Sequence, residues 1–443
     1  MAAATLAAIR ERELGLLDTG LMARARELAK AVPSLEASYA PMFEIIDALP
    51  ARSGLGSGVV ADDAALAAIQ RAYRNRDGWL TLLGGRAAQD AVSAYLWLAF
   101  NCAAPTGGIR PDDVRRWIAL TGPWADTPLL RFKAATCGSY DRPALAGLAD
   151  ADPRFAEVNY FLAFTATRNG KLDVAAALLQ KAYEWRARWP AVTLQMASVA
   201  LTGEDFDRAH DFYVQTLAMA PAFPDALLGD VKALTCAGRH GDALAAIDRL
   251  LALEHWYVGD ARYWRALNET QMERYDDAWG DVEIANRLLL NADVPKLAGL
   301  IAYRRRQVEI ARGNFELARA RNAGDCETGF YLQIVDAELA RWREVAGAAA
   351  GAAACFDAEE AELKRQIADL ATKTMADDRR AKQIARREKQ IAGNARMRAA
   401  AWLNAAVAHF NLRDAAQART FAEKIVGDEQ YGGRACELSS RIH

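Results

Sequence analysis

The chain has 443 residues, of which 52% are hydrophobic, and its formal net charge is −2 at pH 7. The hydrophobic share excludes a largely disordered chain, and the balanced charge gives no general pull toward nucleic acid or an anionic membrane surface. No apolar stretch reaches the ~18 residues that a spanning helix needs, so membrane insertion is not expected.

Alanine is abundant, only 13 prolines occur, and runs of β-branched residues are scarce, which predicts helix throughout. The first 125 residues predict irregular helices near 3–17, 19–31, 34–48, 61–75, 86–103 and 111–120, punctuated by Pro33, Pro50, Pro105 and Pro111. The apolar opening Met1–Ile9 is short, lacks a basic lead and runs into Arg10, so it does not read as a secretory signal. Three alternating glycines in Ser53–Gly58 read as a helix connector, because no strand precedes them and no Gly-Lys-Ser/Thr follows. From about 126 the helices shorten into pairs, beginning with Leu129–Cys137 and Arg142–Leu148.

A regular beat then sets in. Ala175, Ala209, Ala243, Ala278, Ala311 and Val345 are separated by 34, 34, 35, 33 and 34 residues. Three residues before each stands Leu172, Phe206, His240, Tyr275, Val308 or Trp342, and seven after stands Ala182, Thr216, Leu250, Ala285, Ala318 or Ala352. Twelve before each of the first five stands a slim side chain: Ala163, Ala197, Val231, Ala266 or Gly299. Small residues at those points let two helices approach closely, and the i, i+4, i+7 apolar spacing of the second helix defines one helical face. Turns are expected at Asn169-Gly170, Gly203-Glu204-Asp205 and Ala237-Gly238-Arg239, with breaks at Pro190, Pro221 and Pro224.

The strings Gly238–Leu244, Arg274–Trp279 and Ala340–Val345, repeated at this period, resemble the helix–turn–helix signature of the tetratricopeptide (TPR) family over roughly 155–356 and 399–426. The resemblance implies an all-α fold: a right-handed α-solenoid of antiparallel helix pairs, with a concave side lined by the first helix of each pair. It implies a non-enzymatic scaffold or adaptor that binds a protein or peptide partner, with no cofactor and no metal. Carried over by register, it places Tyr160, Phe164, Leu194, Leu228, Lys232, Tyr263, Leu267, Gln271, Tyr303, Arg304, Phe330 and Ile334 on the concave side. The alternatives are a subunit that works by self-association, or an enzyme or regulator with a site in residues 1–125.

After Val345 the next anchor is Ala418, 73 residues on, an excess of about 39 that falls within 357–398. That segment is polar, has no proline, and spaces Leu363, Ile367, Leu370 and Thr374 at helical intervals, with Ala381, Ile384, Ile391 and Ala395 continuing the seam. It predicts two lengthened helices folded as a projecting hairpin, with Asp377 and Asp378 starting the return. The return helix is basic, with Arg379, Arg380, Lys382, Arg386, Arg387 and Lys389 followed by Arg396 and Arg398. Those cations either form a docking arm for an acidic partner or face Asp357, Glu359, Glu360, Glu362 and Asp369 on the outgoing helix. Trp402–Phe410 and Ala415–Ile425 predict a final repeat, and Tyr431–Ile442 a closing helix. The domain reading is therefore 1–125, 126–356, 357–398 and 399–443.

Catalytic chemistry is not visible. The histidines His210, His240, His255, His409 and His443 form no His-Glu-x-x-His pattern, no G-x-S-x-G occurs, and no catalytic residues are assigned. Cys326 and Cys355 lie at similar distances from the turn near Ala340, so an antiparallel pair sets them opposite one another. They are either two packed thiols or a disulfide. Free thiols fit a cytoplasmic protein; a bridge places it in a periplasmic or secreted setting.

Overall fold

A computed structural model describes residues 1–13, 20–48, 63–102, 109–137, 141–253, 257–373, 375 and 377–442. Pro50, the Ser53–Gly58 stretch, Pro105, His255, Thr374, Ala376 and His443 lie outside the described residues. Every regular element among those described is a helix, and none is long and apolar enough to cross a membrane. The chain divides into two compact units, Met1–Ala233 and Leu234–His443, and the division falls inside the helix Pro224–Cys236.

In the first unit the helices Ala2–Glu13, Leu21–Lys30, Pro33–Ala48, Asp63–Arg86 and Ala91–Cys102 enclose a core that includes Ile9, Met42, Ile46, Leu83 and Tyr95. The helix expected to end near 75 instead runs on through Gly78, Gly84 and Gly85 to Arg86, and its successor starts at Ala91. Tertiary packing overrides the weak helix propensity of glycine here. Trp79 and Leu83 are buried, and a Cβ on Gly84 would lie 3.1 Å from the Trp97 ring. The connecting helices Pro128–Ala135 and Arg142–Ala151 precede the array.

The array consists of helix pairs, and its beat has a local cause. Each second helix opens on the residue three before the anchor: Leu172, Phe206, His240, Tyr275, Val308, Trp342 and, in the last pair, Ala415. All seven anchors, Ala418 included, are fully buried. Five residues before each anchor the backbone enters the left-handed region, at Gly170, Glu204, Gly238, Glu273, Arg306, Ala340 and Arg413, with φ between 55° and 77°. The N–H of the following residue donates to the carbonyl five residues earlier, as in Lys171 to Ala166 and Arg274 to Glu269, at 2.8–2.9 Å throughout. This is the Schellman closure, which satisfies orphan carbonyls of the first helix while turning the chain into the second.

Close approach explains the slim residues. Ala163, Ala197, Val231 and Ala266 are fully buried, and Gly299 is buried with them. In the sixth pair Gln333 stands at this position, buried, and its Nε2 donates to the carbonyl of Val345 at 3.4 Å; in the seventh it is Ala406. Ala352 is only half-buried, because the second helix of the sixth pair runs on as Trp342–Thr372 and its seam shifts to Ala349, Ala353 and Phe356.

That helix of 31 residues packs antiparallel on the 35-residue Asp377–Asn411. The return helix continues without a break into the stretch Trp402–Phe410, so no separate helix begins at 399. Ala415–Glu423 and the closing helix Gly432–Arg441 end the chain's regular structure.

Candidate partner-binding surfaces

In the first unit Tyr160 is half-buried, its ring centroid 4.7 Å from that of Trp189, while Phe164 is exposed. Leu194 and Lys232 are half-buried; Leu228 is buried. In the second unit Gln271 and Arg304 are exposed, and Tyr263, Leu267, Tyr303 and Ile334 are half-buried. Burial, with the nearby charge of Asp293 adding to it, pushes the Tyr263 hydroxyl up to about 12, so it is a neutral donor at physiological pH. Tyr303 donates through its hydroxyl to Glu338 Oε1 at 2.6 Å, joining the first helices of two successive pairs.

Leu228 and Phe330 are corrected by this geometry. Phe330 lies in a cluster with Cys326, Phe356 and Ala401, with the Phe356 ring at 6.3 Å, so it packs the base of the hairpin instead of facing a ligand. Register assigns a side chain to a helix face, but depth depends on what the next element lays over it.

Lys296 occupies the register of Tyr263 one repeat later and was not singled out by the sequence. Its Nζ lies 3.0 Å from Asp325 and 2.9 Å from Glu327. Burial alone lowers its pKa, but the hydrogen bonds and charges of Glu327 and Asp325 outweigh that and hold it above the usual lysine range. The repeat period itself was the signal that leads to it. A second network joins the third and fourth pairs: Asn268, fully buried, donates to Thr235 Oγ1 at 2.8 Å and accepts from His240 Nδ1 at 2.8 Å. His240 is thus a packed histidine.

On the return helix of the hairpin the cations separate by face. Arg380 closes the hairpin turn on the carbonyls of Leu370, Lys373 and Met375 at 3.0–3.3 Å. Arg387 donates to Gln366 at 3.3 Å, and Arg398 pairs with Glu360 at 3.0 Å and with Asp357. These point to the outgoing helix. Lys382, Lys389 and Arg396, seven apart, are exposed along another face, while Arg379 and Arg386 are half-buried. Of the acids opposite, Glu359 accepts from Asn394 at 2.9 Å, Glu362 pairs with Arg365 of its own helix, and Asp369 pairs with Lys373 just past that helix's end. The sister-helix acids therefore engage only part of the basic set.

Two disulfides are present. Cys326–Cys355 ties the base of the hairpin with Cα atoms 5.5 Å apart, and Cys102–Cys137 has a Cα separation of 5.1 Å. The repeat pattern offers no signal for the second bridge, since Cys102 lies outside the repeats. Cys326, Cys355 and Glu359 also form a group with metal-ligand spacing among the described residues, but the bridge consumes both thiolates.

No family model matches this chain. It is similar to cellulose synthase operon protein C of Pseudomonas fluorescens (strain SBW25), 28% identical over 131 residues, which are 29% of this chain and 10% of that protein. The match thus spans about a tenth of that relative. Among solved structures, a tetratricopeptide repeat protein from Parabacteroides merdae ATCC 43184 is similar at 14% identity and a TM-score of 0.39, covering 65% of this chain and 98% of that one. A chain of the APC/C hetero-tetramer Cut9-Hcn1 is similar at 11% identity and a TM-score of 0.43, covering 96% of this chain and 86% of that one. PilF of Pseudomonas aeruginosa is similar at 16% identity and a TM-score of 0.41, over 44% of this chain and 89% of its own.

Proposed function

We propose that this chain, a tetratricopeptide-type array of helix pairs, is a non-enzymatic scaffold that binds a protein or peptide through the first-helix face of the repeats. The observation that carries the reading is the recurrence of apolar side chains left partly open at two registers one helical turn apart: Tyr160, Leu194 and Tyr263 at the first, and Phe164, Leu267 and Ile334 four residues later in the repeat. Partly open apolar groups that recur in step with the repeat, unlike apolar residues scattered singly over a surface, mark a candidate interaction face. Gln271 and Arg304, exposed beside them, add directional hydrogen bonding and charge for an extended backbone.

The outward stripe Lys382, Lys389 and Arg396 supports a second contact for an acidic segment of the same partner. Two disulfides support an oxidising compartment, periplasmic or secreted, as the working place. Affinity capture from the native organism tests the reading, using wild type, Phe164→Glu, Leu267→Glu and a deletion of 360–396. A partner lost with the glutamate variants supports the face, and one lost only with the deletion transfers the role to the hairpin. A partner held equally by wild type and all three variants overturns the proposal. A stable homo-oligomer by light scattering, with no partner captured, favours an assembly subunit instead.

A further inference from the structure

A cleft in the first unit is lined from both the N-terminal helix and the first repeat pair, and we propose that it binds a small organic anion: a carboxylate on an aromatic or branched apolar body. The cavity has a volume of about 680 Å³, within the range of small-molecule sites. Its charge is arranged around Glu157, whose side chain is almost wholly buried. Arg10, 147 residues away in sequence, reaches the Glu157 Oε1 at 2.5 Å, and Arg186 lies 3.3 Å from the same oxygen. Two guanidinium groups on one carboxylate leave an excess of one positive charge in a partly dry setting. Asp152 and Arg154, 3.1 Å apart at the same cleft, cancel each other.

Each guanidinium carries five N–H donors in a planar fork, and a single carboxylate oxygen cannot engage both forks. Donors on Arg10 and Arg186 are therefore available to a second anion. The walls suit an apolar body: Leu6, Trp124, Phe155 and Trp185 line the cleft. Trp185 is 57% exposed, an unusual state for so large an apolar side chain, and Arg154 sits over its ring at 6.0 Å. The Arg10 guanidinium likewise lies 5.3 Å from the centre of the Phe155 ring. Flat π-surfaces beside cations accept an aromatic acid and disfavour a cation or a strongly hydrated polar molecule. This site is independent of the repeat-face reading.

Calorimetric titration of the full chain tests it, with 3-phenylpropionate, its amide, and a short peptide ending in tryptophan with a free or an amidated terminus. The expected result is binding of the acids, at least tenfold weaker binding of the amides, and at least tenfold loss in Arg186→Gln. Trp185→Ala, a surface change, should weaken binding several-fold with the melting temperature nearly unchanged. Tighter binding of the free-terminus peptide than of phenylpropionate identifies a polypeptide end as the source; the reverse or equality identifies a small acid. Absence of binding by every probe, equal binding of acids and amides, or full affinity in Arg186→Gln overturns the proposal. Should Arg186→Gln fail to fold, the acid–amide comparison and Trp185→Ala still decide it.

Discussion

Gly299 stands so close to Phe315 that a Cβ added to the glycine would lie 2.7 Å from two carbons of the ring. Phe315 follows the anchor Ala311 by one turn and is fully buried, so it has no room to retreat. Gly299→Ala should therefore destabilise the second unit by about 1–3 kcal/mol despite the better helix propensity of alanine. Urea denaturation checks this. A neutral or stabilising result would mean that the helices of this pair do not approach as described.

The left-handed turns give a prediction of opposite sign. Glu273 holds φ at 60° in a position where a side chain is strained by about 1–2 kcal/mol, whereas glycine is not. Its side chain is exposed. Glu273→Gly should raise stability by roughly 0.5–1 kcal/mol, the extra chain entropy of glycine offsetting part of the relief. Thermal melting of this variant beside Gly238→Ala, which reverses the change at an equivalent turn, separates the effect from general tolerance of the loop.

Glu269 carries a pH dependence. Burial, reinforced by the charge of Asp281, pushes its carboxyl up to about 7 from the ordinary value of 4.5. The folded state then binds a proton that the unfolded chain releases, so this group's contribution is complete below pH 4.5 and fades as pH rises toward 7. Glu269→Gln should match wild type near pH 4.5 and be more stable at pH 8, by on the order of 1 kcal/mol. A stability difference that does not vary with pH would place the ionised carboxylate in a satisfied site.

Reduction tests the bridges. Each closes a loop of intermediate size, with sequence separations of 35 and 29, for which the chain-entropy account gives about 3–4 kcal/mol. Dithiothreitol should lower the melting temperature of wild type clearly. The double change Cys326→Ala with Cys355→Ala should remove only part of that sensitivity, the Cys102–Cys137 bridge supplying the rest. Equal melting with and without reductant, with thiols shown to be free by mass, would discard the oxidising-compartment reading.

The two faces of the return helix should respond differently. Arg398→Ala removes the partner of Asp357 and Glu360 and should cost about 1 kcal/mol. Lys389→Ala, on the outward stripe, should leave stability within about 0.5 kcal/mol. Equal losses by chemical denaturation would dissolve the distinction between inward and outward cations.

The repeat was readable in the sequence because close helix crossings admit only slim side chains, and that restriction writes itself into identity at Ala175, Ala209 and their successors. The turn geometry was not, since five of its seven left-handed residues are Glu204, Glu273, Arg306, Ala340 and Arg413, whose identities do not announce φ. Glycines concealed the full length of Asp63–Arg86, because Trp97 packed on Gly84 is a long-range fact. The surface face was readable as a register, yet burial of Leu228 and Phe330 depends on neighbouring elements. The Arg10–Glu157 pair joins residues too distant in sequence for any periodicity to connect.

The hairpin shows how such a stack tolerates growth. Its helices, 31 and 35 residues long, depart from the sixth pair and return to the seventh, where Ala418 again stands five residues after the left-handed Arg413. Added length that leaves on one strut and comes back on the other restores the starting point for the next turn of chain. Because each helical residue turns the chain by about 100°, shortening one strut alone by two or three positions would swing the last pair to the wrong side. Matched trimming of both should be tolerated, making this arm the place where the molecule's reach can change while its remaining modules stay put.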